Sequence, residues 1–204
     1  MALHAGGIFC VQPCPPAPHS NVNPLLPHTP RPQTDPNWGN FFYDAGSQRI
    51  GLLDFGATRD YPKPFVDDYL RLVWAAANRD RATIEEVSLR VGFLTGHESR
   101  AMLNAHVESG LVVGEPFLSH EPFDFKASGI TSRVAGHGAT FAEERLTAPP
   151  PEVYSLHRKL AGAFLICIKM GAVMPCRDML ETFYNTHVFG PAQTVKRNVV
   201  VGKA

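Results

Sequence analysis

Near residue 60 the hydrophobic period of the chain changes from two to 3.6, which confines most of its β-structure to one short hairpin. NFFYD (40–44) and RIGLLDF (49–55) are β-prone runs joined by AGSQ, whose Gly46 and Ser47 suit a short hairpin loop. After Pro62 and Pro64 the apolar residues Val66, Tyr69, Leu70, Val73 and Ala77 recur on one helical face, and this pattern sets Asp67, Asp68, Arg71 and Arg79 largely elsewhere. Further helices are predicted at about 82–91, 97–113, 151–171 and 177–189 from apolar recurrence and flanking breakers. The clearest is the segment opened by Pro149, Pro150 and Pro151, in which Val153, Leu156, Leu160, Phe164 and Cys167 share a side. Residues 114–148 give weak signals and read as mixed loop and helix. The fold class is therefore mainly α with a small β-hairpin.

The ends are different in kind. Residues 1–32 hold eight prolines and one charged side chain, Arg31, so no strand or helix pattern can repeat there. This segment is expected to be a disordered tail, followed by a folded domain over 33–189 and a flexible tail over 190–204. It also lacks the Arg-rich amphipathic character of a mitochondrial presequence and the charged start of a secretory signal. Nineteen basic residues balance nineteen acidic ones, which leaves no field that would gather nucleic acid or anionic membrane by charge. The most apolar stretch, LAGAFLICIKMGAVM, is interrupted by Lys169 and falls short of the roughly 18 to 20 residues that span a bilayer. Cys10, Cys14, Cys167 and Cys176 lack the paired CxxC spacing of a zinc site and read as unpaired thiols of a reducing compartment. His97, His106, His120 and His137 show no metal-ligand spacing, and His157 falls on the polar side of its helix.

The hairpin is bracketed by chemistry. Asp35 and Asn40 lie five apart before it, and Asp54-Phe55-Gly56 follows Asn40 by fourteen residues. That order matches the lower half of a kinase active site, D-x-x-x-x-N then D-F-G. Mg²⁺ prefers hard oxygen ligands, so the Asn40 amide oxygen and the Asp54 carboxylate suit a metal that bridges the phosphates of ATP. Asp35, earlier in the loop, is placed to orient the acceptor hydroxyl or water, and Gly56 permits a sharp backbone turn after the metal ligand. An Asp at a strand end is by itself most often a turn residue; it is the joint pattern of three residue types around one hairpin that is specific. Gln33-Thr34-Asp35 replaces the usual H-R-D, and helix resumes within about ten residues of D-F-G, so no platform for a peptide substrate follows.

QTDPNWGNFFYD and LLDFGATRDY, with FLTGHES, GEPF, EPFDF and APPPEVYSLHRKLAGAFLICIK, resemble the UbiB/ADCK atypical kinase-like family, in its eukaryotic coenzyme Q branch, over roughly 33–189. The resemblance implies that Asp35 is the catalytic-loop aspartate, that Asn40 and Asp54 are Mg²⁺-nucleotide ligands, and that the fold is the C-lobe of a kinase-like domain. It implies ATP use in support of ubiquinone synthesis, association with the coenzyme Q biosynthetic complex, contact with phenolic lipid intermediates and inner-membrane lipids, and residence at the matrix face of the inner mitochondrial membrane. The family's phosphate-contacting lysine, its partner glutamate and its KxGQ motif belong before the catalytic loop, whereas here the first lysine is Lys63 and the first glutamate Glu85. The expectation is a truncated product without an N-lobe, binding Mg-ATP weakly or not at all. The alternative is a non-catalytic module that docks on the biosynthetic complex through its helices; a small-molecule phosphotransferase is a third reading.

Overall fold

The structure is a computed structural model that describes residues 39, 41–47, 49–52 and 60–191. It divides into two units, residues 1–60 with 155–163, and residues 61–154 with 164–204.

In the first unit the hairpin forms as its sequence predicts. Strand β1, Phe41–Asp44, pairs antiparallel with β2, Arg49–Leu52, in the register Phe41↔Leu52 to Asp44↔Arg49. The turn is fastened by Asp44, whose carboxylate accepts the Gly46 amide at 2.9 Å and the Ser47 hydroxyl at 2.6 Å. The Ser47 hydroxyl and the two turn amides hold the Asp44 carboxyl below the usual carboxylate range.

The second unit is helical. α1 (Lys63–Ala77) starts after Pro62 with Pro64 in its first turn, where a missing N–H costs nothing. α2 (Arg81–Val91) follows a tight corner: Asp80 caps it through Thr83, and Gly92 ends it at φ 89°. α3 (Arg100–Gly114) begins three residues later than the periodicity predicts, because Glu98 turns back to accept the Thr95 and Gly96 amides and leaves Ser99 as the cap. These three helices close on Ala75, Ala76, Ile84, Val107 and Leu111. A neighbouring cluster joins Phe93 and Leu94 to Val153, with Phe65, Tyr69, Leu89 and Leu103 packed against it.

The weakly patterned stretch resolves into a 3₁₀ turn, Glu115–Phe117, then β3 (Phe123–Asp124), α4 (Ile130–Ala135) and α5 (Gly138–Glu144). α6 covers Pro151–Met170, one residue from its predicted end, and Gly171 at φ 62° stops it. β4 (Val173–Met174) pairs with β3, a second two-stranded ribbon that no sequence pattern announced. α7 runs Arg177–Thr186 and ends three residues before its prediction; His187–Gly190 continues as a non-helical segment. No helix among the described residues is long and apolar enough to cross a membrane. The structure is thus mainly helical with small antiparallel ribbons, consistent with the C-terminal part of a kinase-like fold.

Candidate functional site

The motif residues Asp35, Asn40, Asp54 and Gly56 lie outside the described residues, as do Cys10 and Cys14. What is described is the hairpin between them. Asn40 immediately precedes β1 and Asp54 follows the end of β2 by two residues, and Phe41↔Leu52 is the pair nearest both in sequence.

Within the helical unit the strongest electrostatic feature is on α1. The helical period sets Asp67 and Asp68 off the apolar face, yet both are buried, while Val66, on that face, is exposed. Burial of two adjacent carboxylates requires partners, and each has them. Asp68 Oδ1 accepts Arg71 Nη1 at 3.0 Å and Arg90 Nη2 at 3.2 Å, and Arg90 also pairs with Glu86. Asp67 accepts Lys63 Nζ at 2.8 Å, His187 Nε2 at 2.6 Å and the Gly190 amide at 2.9 Å. Desolvation, the largest influence on Asp67, pushes its carboxyl up, but the bonds from Lys63, His187 and Gly190 with the Lys63 charge outweigh it and bring the pKa from 3.8 to about 2.

A pKa lowered in the folded state adds stability above the unfolded value and loses it as pH falls through the folded one. For Asp67 the window is therefore about pH 4 down to about pH 2, and the shift is worth on the order of 2 kcal/mol. Asp67→Asn should lose that increment at neutral pH and flatten the acid limb. Urea denaturation at pH 7 and pH 3 measures both, and an Asn variant with unchanged pH dependence would refute the assignment.

Other groups were candidates by chemistry. Ser88 Oγ lies 2.8 Å from His106 Nε2, the spacing of a nucleophile and its base, but Ser88 is fully buried and no substrate atom can reach it. His120, Asp178 and Glu181 bring ligand atoms within 4.8 Å of one another, a grouping invisible to His spacing alone since His120 and α7 are far apart in sequence. Glu181 is already held by Arg177 at 2.7 Å, and His120 by Asp178 at 2.6 Å. Arg177 itself is a structural tie, bonding the Phe117 carbonyl at 3.1 Å and lying over Trp74, which stacks on Tyr184. Cys167 and Cys176 are free thiols as expected, and burial, with Cys167 adding a smaller effect, pushes Cys176 to about 11, which suits packing rather than nucleophilic use.

Comparison with known proteins adds the family context. The ABC1 atypical kinase-like domain matches residues 28–88, a range holding the Asp35, Asn40 and Asp54 motif, the hairpin, α1 and most of α2. The chain is 50% identical over 155 residues to the Danio rerio protein "Atypical kinase COQ8B, mitochondrial", covering 76% of this chain and 25% of that protein. It is 45% identical to the Rattus norvegicus protein of the same name, over 76% of this chain and 29% of the relative. It is 44% identical to "Atypical kinase COQ8, mitochondrial" of Saccharomyces cerevisiae, over 74% of this chain and 31% of the relative. The chain thus spans about a quarter to a third of the length of the curated relatives it matches.

Proposed function

Because the chain belongs to the UbiB/ADCK family of ABC1-type atypical kinase-like proteins, in its coenzyme Q branch, we propose that it supplies the lower half of a phosphoryl-transfer centre serving ubiquinone synthesis. The observation that carries this reading is the β1–β2 register: antiparallel pairing through Phe41↔Leu52 stands between the two halves of a D-x-x-x-x-N and D-F-G pattern, inside the matched range. A carboxylate and an amide oxygen form a hard donor set, which fits Mg²⁺ and excludes a thiophilic metal.

In this reading Asn40 and Asp54 would hold the metal and, through it, ATP, and the ion would supply charge neutralisation at the phosphates. Asp35 orients the acceptor and takes its proton, and Gly56 lets the chain turn between Asp54 and α1. No lysine precedes Lys63, so the charge that would cradle the phosphates is not supplied by residues 1–62, and nucleotide binding by these 204 residues is weak. The setting is mitochondrial, at the matrix face of the inner membrane, among the proteins of the coenzyme Q biosynthetic complex. Phenolic lipid intermediates and inner-membrane lipids are the small partners.

Calorimetric titration with Mg-ATP tests the site. Binding should depend on Mg²⁺ and weaken about tenfold or more in Asp54→Asn, the loss of one charged metal ligand. Nucleotide binding that ignores both the metal and the substitution would sink the proposal. That outcome would favour the second reading, a non-catalytic docking module, to which Tyr154 and Leu165, both exposed and three turns apart on one side of α6, lend an apolar surface.

A further inference from the structure

After α7 the chain crosses one side of α1, and the way it is held differs from ordinary packing. Lys63, Asp67 and Arg71 are spaced four apart and so form a row along the helix. Lys63 Nζ donates to the Val188 carbonyl, Asp67 Oδ2 accepts the Gly190 amide at 2.9 Å, and Arg71 Nη2 donates to the Gly190 carbonyl at 3.1 Å. All three bonds go to main-chain atoms. Side-chain recognition is limited to His187, on Asp67 Oδ1 at 2.6 Å, and Phe189, whose ring lies 4.7 Å from the Arg71 guanidinium and 5.1 Å from the Tyr184 ring. Val188 is 78% exposed, so the segment contributes little to a core.

A row of charged donors and acceptors on a rigid helix, gripping the amides and carbonyls of a non-helical segment and one aromatic side chain, is the chemistry of peptide recognition. Main-chain bonds accept any sequence that can lie extended; the Arg71 guanidinium and the Tyr184 ring, each against the Phe189 ring, select an aromatic residue, and Gly190 fits where an added Cβ would stand 3.1 Å from Asp67 Oδ2. We propose that the Lys63–Asp67–Arg71 face of α1 is a peptide-recognition site filled in cis by the chain's own His187–Gly190, and that its ligand class is an extended segment with an aromatic residue followed by glycine. A half-buried segment held mainly by polar bonds opens at lower free energy than the helix beneath it, so the site is exchangeable.

The test uses the full chain and a fluorescent synthetic peptide, THVFGP, copied from Thr186–Pro191. Phe189→Ala combined with Gly190→Pro removes the aromatic contact and the amide that Asp67 accepts. This variant should keep the helical circular dichroism of the parent and bind the peptide at least about tenfold tighter, since the cis segment, left with His187 and the Val188 carbonyl, competes less; adding Arg71→Ala should abolish the binding. In the unmodified chain, hydrogen exchange should show the Val188–Gly190 amides opening independently of α1. A folded strap variant that binds peptide no better than the parent overturns the proposal. So does a strap variant that unfolds, or exchange in which strap and α1 open as one event, because each makes the segment an integral part of the helical core.

Discussion

Asp68→Ala is expected to destabilise the chain by about 3 to 5 kcal/mol, more than any other single charge removal within the described helices. The reason lies in what is left behind. The Arg90 side chain is only 6% exposed and bonds Asp68 through both Nε and Nη2, so it cannot turn to water when the carboxylate goes. Glu86 takes Nη1 alone and is itself 67% exposed, a position from which it compensates little. Arg71, at 20% exposure, has more freedom and a second partner in the Gly190 carbonyl. Replacing both buried partners, Asp68→Leu with Arg90→Met, should recover at least half of the loss, because the penalty belongs to the orphaned charge and not to the missing attraction. Urea denaturation followed by circular dichroism gives both numbers. A loss below about 1 kcal/mol in Asp68→Ala would mean that Arg90 is solvated after all.

The same residues show where sequence reasoning works and where it stops. α6 is bounded by Pro151 and by the glycine after Met170, and its apolar spacing gives its length to within a residue, because local chemistry alone decides such ends. The hairpin is equally local, with Asp44, Gly46 and Ser47 closing it among themselves. Asp67 and Asp68 are the opposite case. Their partners Arg90, His187 and Gly190 stand 22 to 123 residues away, so a helical wheel can only assign a carboxylate to solvent. The neighbours Lys63 and Arg71, at i−4 and i+3, are a local hint that ion pairing was available. β3 and β4 are two residues each and carry no period at all, and α7 stops early where His187 and Gly190 instead bond Asp67 of α1, a partner far off in sequence. The candidate site rests on the order and spacing of residue types around the hairpin, a pattern that chemistry imposes on sequence more strictly than packing does, while Asp35, Asn40 and Asp54 themselves lie outside the described residues.

Two glycines in one helix should respond to alanine with opposite signs. At Gly110, in the middle of α3, a Cβ would meet only Ile84 Cγ2 at 3.8 Å, an ordinary contact. Gly110→Ala should therefore gain about 0.5 to 1 kcal/mol, from reduced freedom of the unfolded chain and better helix propensity. At Gly114, the last residue of the same helix, a Cβ would stand 2.7 Å from the Ala76 carbonyl carbon, 2.8 Å from its Cβ and 2.9 Å from its oxygen. Those atoms are backbone or fixed to it, so no rotamer change relieves the overlap, and α1 and α3 must separate where Ala75 and Ala76 seal the core. Gly114→Ala should lose about 2 to 3 kcal/mol, and Gly114→Val more. For a chain of 204 residues this corresponds to a melting point lowered by about 4 to 12 °C, against a rise of about 1 to 4 °C for Gly110→Ala. Thermal melts of the two variants side by side decide the matter, since a general intolerance of this helix to alanine would lower both. Equal, small shifts would show that α1 and α3 are not in backbone contact at Ala76.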